Sequence, residues 1–367
     1  MSPEPDSAAR LRAVEIGGDP GAVEGPLQGY HHETYVIALP PRPGGVGQGR
    51  WKCRAPRSNL LWFDRRCFAS EEQLLTALHG HVRQIPEVVD VDGCGLQHFI
   101  EGVTLGSMYA SGQGIPEDVF RQIVDVFGQL AALDADDLAA DRKCDTVDRP
   151  VDGDTNGFLE RLVCFTEERV YVENLKSFER LFKELGVEPD AFKQLRKTVA
   201  GLHERPFCLL HADLHRENFI VDSDRRLWTI DWELAMVGDP LYDLATHLYL
   251  MQYPMRQARR MARQWRTAVE AVRPGSSKGM EEDLDRLIDY KRAQSVFTDV
   301  IREALKLGSE PDSHWGQLVH SGLKLRRILM GAAGPLGLDL VPSPAQIMGA
   351  LTRWCRAQEA AGVLRDA

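Results

Sequence analysis

Along the first third of the chain, apolar residues alternate with polar ones in short runs. "ETYVIAL" (33–39) is rich in β-branched and aromatic residues and predicts a strand. "PPRPGGVGQG" (40–49) is turn chemistry, and "RWKCRA" (50–55) predicts the returning strand of a hairpin. In "SEEQLLTALHGHV" (70–82), Leu74, Leu75 and Leu78 fall at helical spacing behind Ser70, a suitable N-cap. "EVVDVDGCGLQHFIEG" (87–102) predicts two more strands around a glycine-bearing turn. The first ~25 residues, rich in Pro, Gly and Asp, are expected to be poorly ordered at their start.

Beyond residue 115 the period lengthens. Segments 117–134, 157–175 and 191–204 repeat their apolar residues at three and four positions, as helices do. A β-rich interlude, "FCLLHADLHRENFIVDSDRRLWTIDWE" (207–233), interrupts them, and five further helical segments follow. No internal repeat or low-complexity tract is present. The expected fold is α+β and bilobal: a small β-rich lobe over residues 1–101 and a large, mostly helical lobe over 102–367.

Composition narrows the class. With 43% hydrophobic and 27% charged residues, the chain can bury a sizeable core. A net charge of −10 argues against nucleic acid as a partner; it either favours a cationic ligand or only keeps the chain in solution. Seven scattered cysteines without a C-x-x-C pair point to reduced thiols rather than disulfides or structural zinc. No apolar run is long enough for a bilayer, and "MSPEPDSAARLRAVEIGGD" lacks the apolar stretch of a secretory signal, so no membrane partner and a cytoplasmic location are expected.

The densest chemistry lies in "HADLHRENF" (211–219). A zinc site on His211, His215 and Glu217 would need a helix, whereas Asp213 followed by a strand argues for a loop. "NFIVD" and "LWTIDW" read as two short strands around a polar turn, which would bring Asp213 and Asn218 close to Asp231. Two carboxylates and an amide oxygen suit phosphoryl transfer, in which a protein orients a hydroxyl and holds Mg²⁺ on oxygen ligands. Asp213 would orient or deprotonate the hydroxyl, while Asn218 and Asp231 would hold the metal. His211 reads as a scaffold for the loop.

"HADLHRENF" followed by "TIDWELAMVGDPLYDLA" resembles the aminoglycoside phosphotransferase family, protein-kinase-like enzymes with the pattern H-G-D-x-H-x-x-N, I-D-[WF]-E and G-D-P-x-x-D-L-A. Asn218 stands 13 residues before Asp231, as the pattern requires, and only Ala212 departs from it, replacing glycine. The resemblance implies an ATP- and Mg²⁺-dependent O-kinase that acts as a monomer or homodimer. It implies that His211, His215, Asp239 and Asp243 support the catalytic loop. In the first lobe it makes "GYHHETYVI" (29–37) the strand-turn-strand over the nucleotide, with His32 at the family's amide position.

Lys52 is then the first candidate for the phosphate-contacting lysine. Arg54 is its rival on the same strand face, and Glu71 of the following helix is the partner. The backbone around Gln97, His98 and Phe99 is expected to read the purine edge. The family's acceptors include aminoglycosides, other antibiotics, choline, sugars and amino sugars. The acids of 281–303, including Asp299, suggest a polycationic acceptor, unless they pair with their own Lys and Arg neighbours. Glu233 is a candidate for acceptor contact or structural support. The expected function is therefore phosphorylation of an antibiotic or amino-sugar hydroxyl. The alternatives are a kinase of primary metabolism or, further off, a nucleotide-binding protein without transferase activity. A protein kinase is disfavoured because Asp231 is followed by Trp-Glu rather than Phe-Gly.

Overall fold

Five antiparallel strands build the first part of the molecule: β1 (Glu24–Leu27), β2 (His32–Ala38), β3 (Arg50–Pro56), β4 (Val88–Val91) and β5 (Cys94–His98), in the order β1-β2-β3-β5-β4. The computed structural model describes residues 7–27, 29, 31–39, 49–57, 61–146, 149–309 and 314–361. The expected turn at 40–49 therefore lies, but for Gly49, outside the described residues. β2 and β3 pair with Tyr35 opposite Cys53 and Val36 opposite Lys52. Because side chains alternate along a strand, Tyr35, Ile37, Trp51 and Cys53 share the outer face, and Lys52 and Arg54 point the other way. Asp92 and Gly93, both at positive φ, make the tight turn between β4 and β5.

The outer face is covered by an element that was not expected. Residues 8–17, read as poorly ordered, form helix α1 (Ala8–Gly17), capped by the Ser7 hydroxyl, which accepts the Arg10 N–H. Its Ala9, Ala13 and Ile16 are buried in one cluster with Tyr35, Ile37 and Trp51. Three small apolar residues at helical spacing suffice, because the sheet supplies the rest of the apolar surface.

Helix α2 (Glu71–Leu78) starts as predicted, with Ser70 Oγ accepting the N–H groups of Glu72 and Gln73. Its Leu74, Leu75 and Leu78, with Phe63 before them, join the large core of the helical part. The chain then passes Gly102, where a Cβ would lie 2.5 Å from Val221 O, so only glycine fits this crossing.

The second part begins with β6 (Val103–Thr104), α3 (Leu105–Met108), α4 (Glu117–Ala131), α5 (Thr155–Phe165), α6 (Leu175–Glu184) and α7 (Ala191–Val199). The periodic stretch 157–175 is not one helix: α5 ends at Phe165, and a π turn and a 3₁₀ turn lead into α6. The Thr166 hydroxyl donates to Leu162 O at the junction, a bond known to bend helices. Next come β7 (Cys208–Leu210), β8 (Phe219–Val221), β9 (Leu227–Thr229) and β10 (Met236–Gly238), followed by α8 (Pro240–Met251), α9 (Met255–Val272), α10 (Met280–Ser309), α11 (His314–Leu336) and α12 (Pro344–Ala360). Phe297 of α10 stacks on Phe192 of α7 at 4.3 Å within this core. All seven cysteines are free thiols, and no helix among the described residues is long and apolar enough to cross a membrane.

Candidate active site

Two small antiparallel pairings assemble the polar loop. β7 pairs with β10, and β8 pairs with β9 with Phe219 opposite Thr229. The second pairing continues one step, as the Ile230 N–H donates to Asn218 O at 3.0 Å. Asn218 and Asp231 are therefore close because they flank the open end of one hairpin.

Ala212 sits at φ +65, the left-handed conformation in which the family has glycine. The Asp243 carboxylate holds it there, accepting the N–H of Ala212 at 2.8 Å and that of His211 at 3.2 Å. His211 is fully buried and donates from Nε2 to Ile230 O at 3.1 Å, and burial lowers its pKa to about 4. A neutral imidazole that bridges the loop to the end of β9 is a support. Arg216, also buried, ties the other side by donating to the carbonyls of Met251, Tyr109 and Gln113.

Asp213 faces the cleft. Both amide hydrogens of Asn218 go to it, one to its carbonyl and one to Oδ2, each at 2.9 Å. That arrangement leaves Asn218 Oδ1 as the amide's outward acceptor. His215 Nε2 lies 3.3 Å from Asp213 Oδ2, while its Nδ1 accepts the Glu217 N–H. Burial opposes ionisation of Asp213, but the His215 hydrogen bond and charge, with a smaller contribution from Lys291, outweigh it and lower its pKa. Burial likewise disfavours charge on His215, and Asp213 overrides it and raises the imidazole's pKa.

Across the hairpin, carboxylate oxygens of Glu71, Asp231 and Glu233 lie within 4.8 Å of one another. Burial, then the charges of Glu71, Glu233 and Asp213, push Asp231 up to about 8. Such crowding of like charge is relieved by a divalent cation, and Asn218, whose carbonyl accepts the N–H of Ile230 next to Asp231, could offer a neutral oxygen. The donor set therefore fits Mg²⁺, which takes one or two carboxylates and completes its shell from phosphate and water.

The cations of β3 divide their roles. Arg54 Nη1 pairs with Glu71 Oε2 at 2.6 Å, and Glu71 Oε1 in turn accepts the Trp232 N–H at 2.9 Å. Lys52, first in line for the pairing with Glu71, does not make it. Its Nζ lies 5.9 Å from the Phe99 ring centroid, and burial and Arg54 lower its pKa. The reason is the register of β3, which sets Arg54 rather than Lys52 opposite α2. The backbone N–H groups of His98 and Phe99 donate to Glu87 O and Arg50 O at 2.8 Å each. Those two donors belong to the sheet, so the purine edge, expected to be read at 97–99, meets them already used. Gln97 is buried with its amide donating to Glu72.

Glu233 carries a cluster with no counterpart in the motif. Arg66 Nη2 lies 2.7 Å from it, and His31 and His32 approach its oxygens at 3.6 and 3.5 Å. His31 stacks on Trp62, and Arg66 also lies over that ring. Burial, helped by Arg66 for His31 and by Arg54 for His32, lowers both imidazoles to about 4. These contacts favour support over acceptor contact for Glu233.

Asp213, Asp231 and Glu233 open onto a cavity of about 700 Å³ whose far wall is α10 and α11. Of the acids expected there, only Asp299 lines the cavity. Glu281 pairs with Arg266, Asp289 with Arg292, and both Asp299 and Glu303 with Lys324. Asp283 is fully buried against Arg205. Arg205 also takes Asp239 through two 2.7 Å bonds, and Asp239 caps α8, so this triad ties α8 to α10. Asp299 does line the cavity, but with its charge engaged by Lys324 at 2.8 Å.

Arg66, His31, Asp64 and Lys291 escaped the sequence reading. "LWFDRRCFA" (61–69) matches no motif, and its place against the cleft is set by long-range packing alone.

A family model described as the phosphotransferase enzyme family (APH) matches residues 27–274. Among solved structures, a Ralstonia eutropha protein provisionally named an aminoglycoside phosphotransferase superposes with a TM-score of 0.52 at 12% identity. That match covers 95% of this chain and 98% of that one. A choline/ethanolamine kinase family protein from Mesorhizobium loti gives a TM-score of 0.50 at 16% identity, covering 94% and 98%. At such identities the likeness is one of fold, bilobal and kinase-like.

Proposed function

The chain belongs to the phosphotransferase enzyme family and is a small-molecule kinase, and from that premise we propose that it moves the γ-phosphate of ATP to an acceptor hydroxyl presented to Asp213. The observation that carries this reading is that Asp213, held by the Asn218 amide, opens together with Asp231 onto one cavity.

Asp213 accepts a hydrogen bond from the acceptor hydroxyl and takes its proton as the new O–P bond forms. The bond from Pγ to the β-phosphate oxygen breaks, and ADP leaves. Held ionised by His215, Asp213 is a weak base, which suits a reaction governed by positioning. Asp231 and Asn218 would hold Mg²⁺, which when bound neutralises phosphate charge. Arg54, steadied by Glu71, is our candidate for the contact to the α- and β-phosphates, with Lys52 on the same strand face as its rival. The link 100–102, the first residues beyond the sheet, is assigned the purine edge. Glu233 with His31, His32 and Arg66 shapes the space over the transferred phosphate.

Antibiotic and amino-sugar acceptors lose their main support, because the acids of α10, Asp299 apart, do not line the cavity, and Asp299 is paired with Lys324. A metabolite kinase is the second reading, favoured by that observation. Asp213→Ala is the test: ADP release should fall about 10²–10⁴-fold with nucleotide affinity nearly kept. Turnover close to that of the parent would remove Asp213 from its role.

A further inference from the structure

The acceptor side of the cavity has its own charge. Of the ionisable side chains that α10 and α11 present to it, five are cationic (Lys291, Arg292, Arg302, Lys324 and Arg327) and only Asp299 is acidic. Asp299 is spent on Lys324 at 2.8 Å, and Arg292 is held by Asp289 from outside the cavity. Arg302 lies over the Phe63 ring with Asp64 at 3.8 Å.

Two cations keep no acidic partner within ion-pair distance among the described residues. Arg327 is exposed at the rim. Lys291 is only 7% exposed, yet it lines the cavity and donates one hydrogen bond, to Gln294 Oε1 at 2.6 Å. Its charge is felt by Asp213 and Asp243 and it lies 5.6 Å from the Tyr242 ring centroid, but no carboxylate among the described residues pairs with it directly, so an anionic ligand group would be favoured beside it. Between these cations the wall is hydroxyl- and amide-bearing, with Ser295, Thr298, Tyr249 and Gln252. Such a surface hydrogen-bonds a polyol, and the cations of this wall, across the cavity from the carboxylates of Asp213, Asp231 and Glu233, favour an anionic group at this end.

We propose that the acceptor is a small anionic hydroxy compound, whose carboxylate or phosphate ester is held by Lys291 and Arg327 while a hydroxyl faces Asp213. This rests on the phosphotransferase reading above and names the class of its acceptor. It also reverses the charge expected from the acidity of 281–303.

Calorimetric titration of the full chain loaded with Mg²⁺–ADP tests it, using gluconate, glucose 6-phosphate and kanamycin as probes. Gluconate or glucose 6-phosphate should bind and kanamycin should not, and the stronger of the two anions tells a carboxylate site from a phosphate site. Arg327→Glu, a surface change, should weaken that binding about tenfold or more, and Lys291→Gln at least as much. Binding of kanamycin in preference to both anions, binding of neither anion, or an affinity indifferent to Arg327→Glu overturns the proposal. Titration with Mg²⁺–ATP separates the two levels: if ATP binds and the anions fail, only the acceptor class falls, whereas failure of ATP to bind sinks the kinase reading itself.

Discussion

Asp243 Oδ1 accepts the N–H of Ala212 at 2.8 Å, and that bond holds a non-glycine residue in the left-handed conformation one step before Asp213. The departure from the family's glycine is thus tolerated rather than disabling. A left-handed conformation costs an L-residue roughly 1–2 kcal/mol, partly offset because alanine loses less chain entropy than glycine.

Ala212→Gly should therefore change stability by no more than about 1 kcal/mol and retain turnover. Ala212→Val places a β-branched side chain at the same φ in a buried position and should cost more than about 2 kcal/mol. Thermal unfolding of the three proteins checks this, and a Val variant as stable as the parent would contradict the strain argument.

Arg54→Ala and Lys52→Ala should separate cleanly. Loss of Arg54 removes the Glu71 partner and, in our assignment, the phosphate contact. The Michaelis constant for ATP should rise about tenfold or more, with a lower melting temperature, because Glu71 is left buried beside two carboxylates. Lys52 makes no ion pair among the described residues, so its loss should be milder on both counts. A larger effect at Lys52 would return the phosphate contact to it.

Asp231 trades stability for cation binding. Its pKa in the ligand-free fold, about 8 against an ordinary 3.8, means that folding disfavours its charged form. Its contribution is fully present below about pH 4 and is lost as pH rises toward 8. Asp231→Asn, neutral throughout, should melt a few degrees higher than the ligand-free parent at pH 7 and show little gain at pH 4. It should at the same time lose the stabilisation that Mg²⁺–ATP gives the parent. An Asn variant less stable at pH 7 would mean that the carboxylates do not repel as described.

Arg205 stands between Asp239 and Asp283 with all three side chains inaccessible to solvent. Arg205→Leu leaves two buried carboxylates without their cation and should cost about 3–5 kcal/mol. Denaturant unfolding measures it. A loss under about 1 kcal/mol would show that water reaches the pair.

Much of this molecule was legible in its residue pattern. The hairpin of β2 and β3, the Ser70 cap, the sequence of helices and the meeting of Asn218 with Asp231 all follow from local periodicity and turn chemistry. The misses share one cause. Helix α1 has too weak an apolar face to announce itself and forms against a sheet that lies later in the chain. The strap 61–69 has no period at all, and Asp64 reaches Gln294 on α10 from it only in the folded molecule.

The chemistry was readable in the residue order, because a phosphoryl-transfer loop needs particular groups at short, fixed spacings, and short spacings survive in a linear pattern. The tertiary structure alone decided which cation meets Glu71, since that depends on strand register against a helix. It alone also decided the sign of the acceptor wall. Counting charges along 281–303 finds many acids, but a helix shows the cavity only one face. On that face Lys291, Arg292 and Arg302 look inward while the acids are paired, buried or turned away.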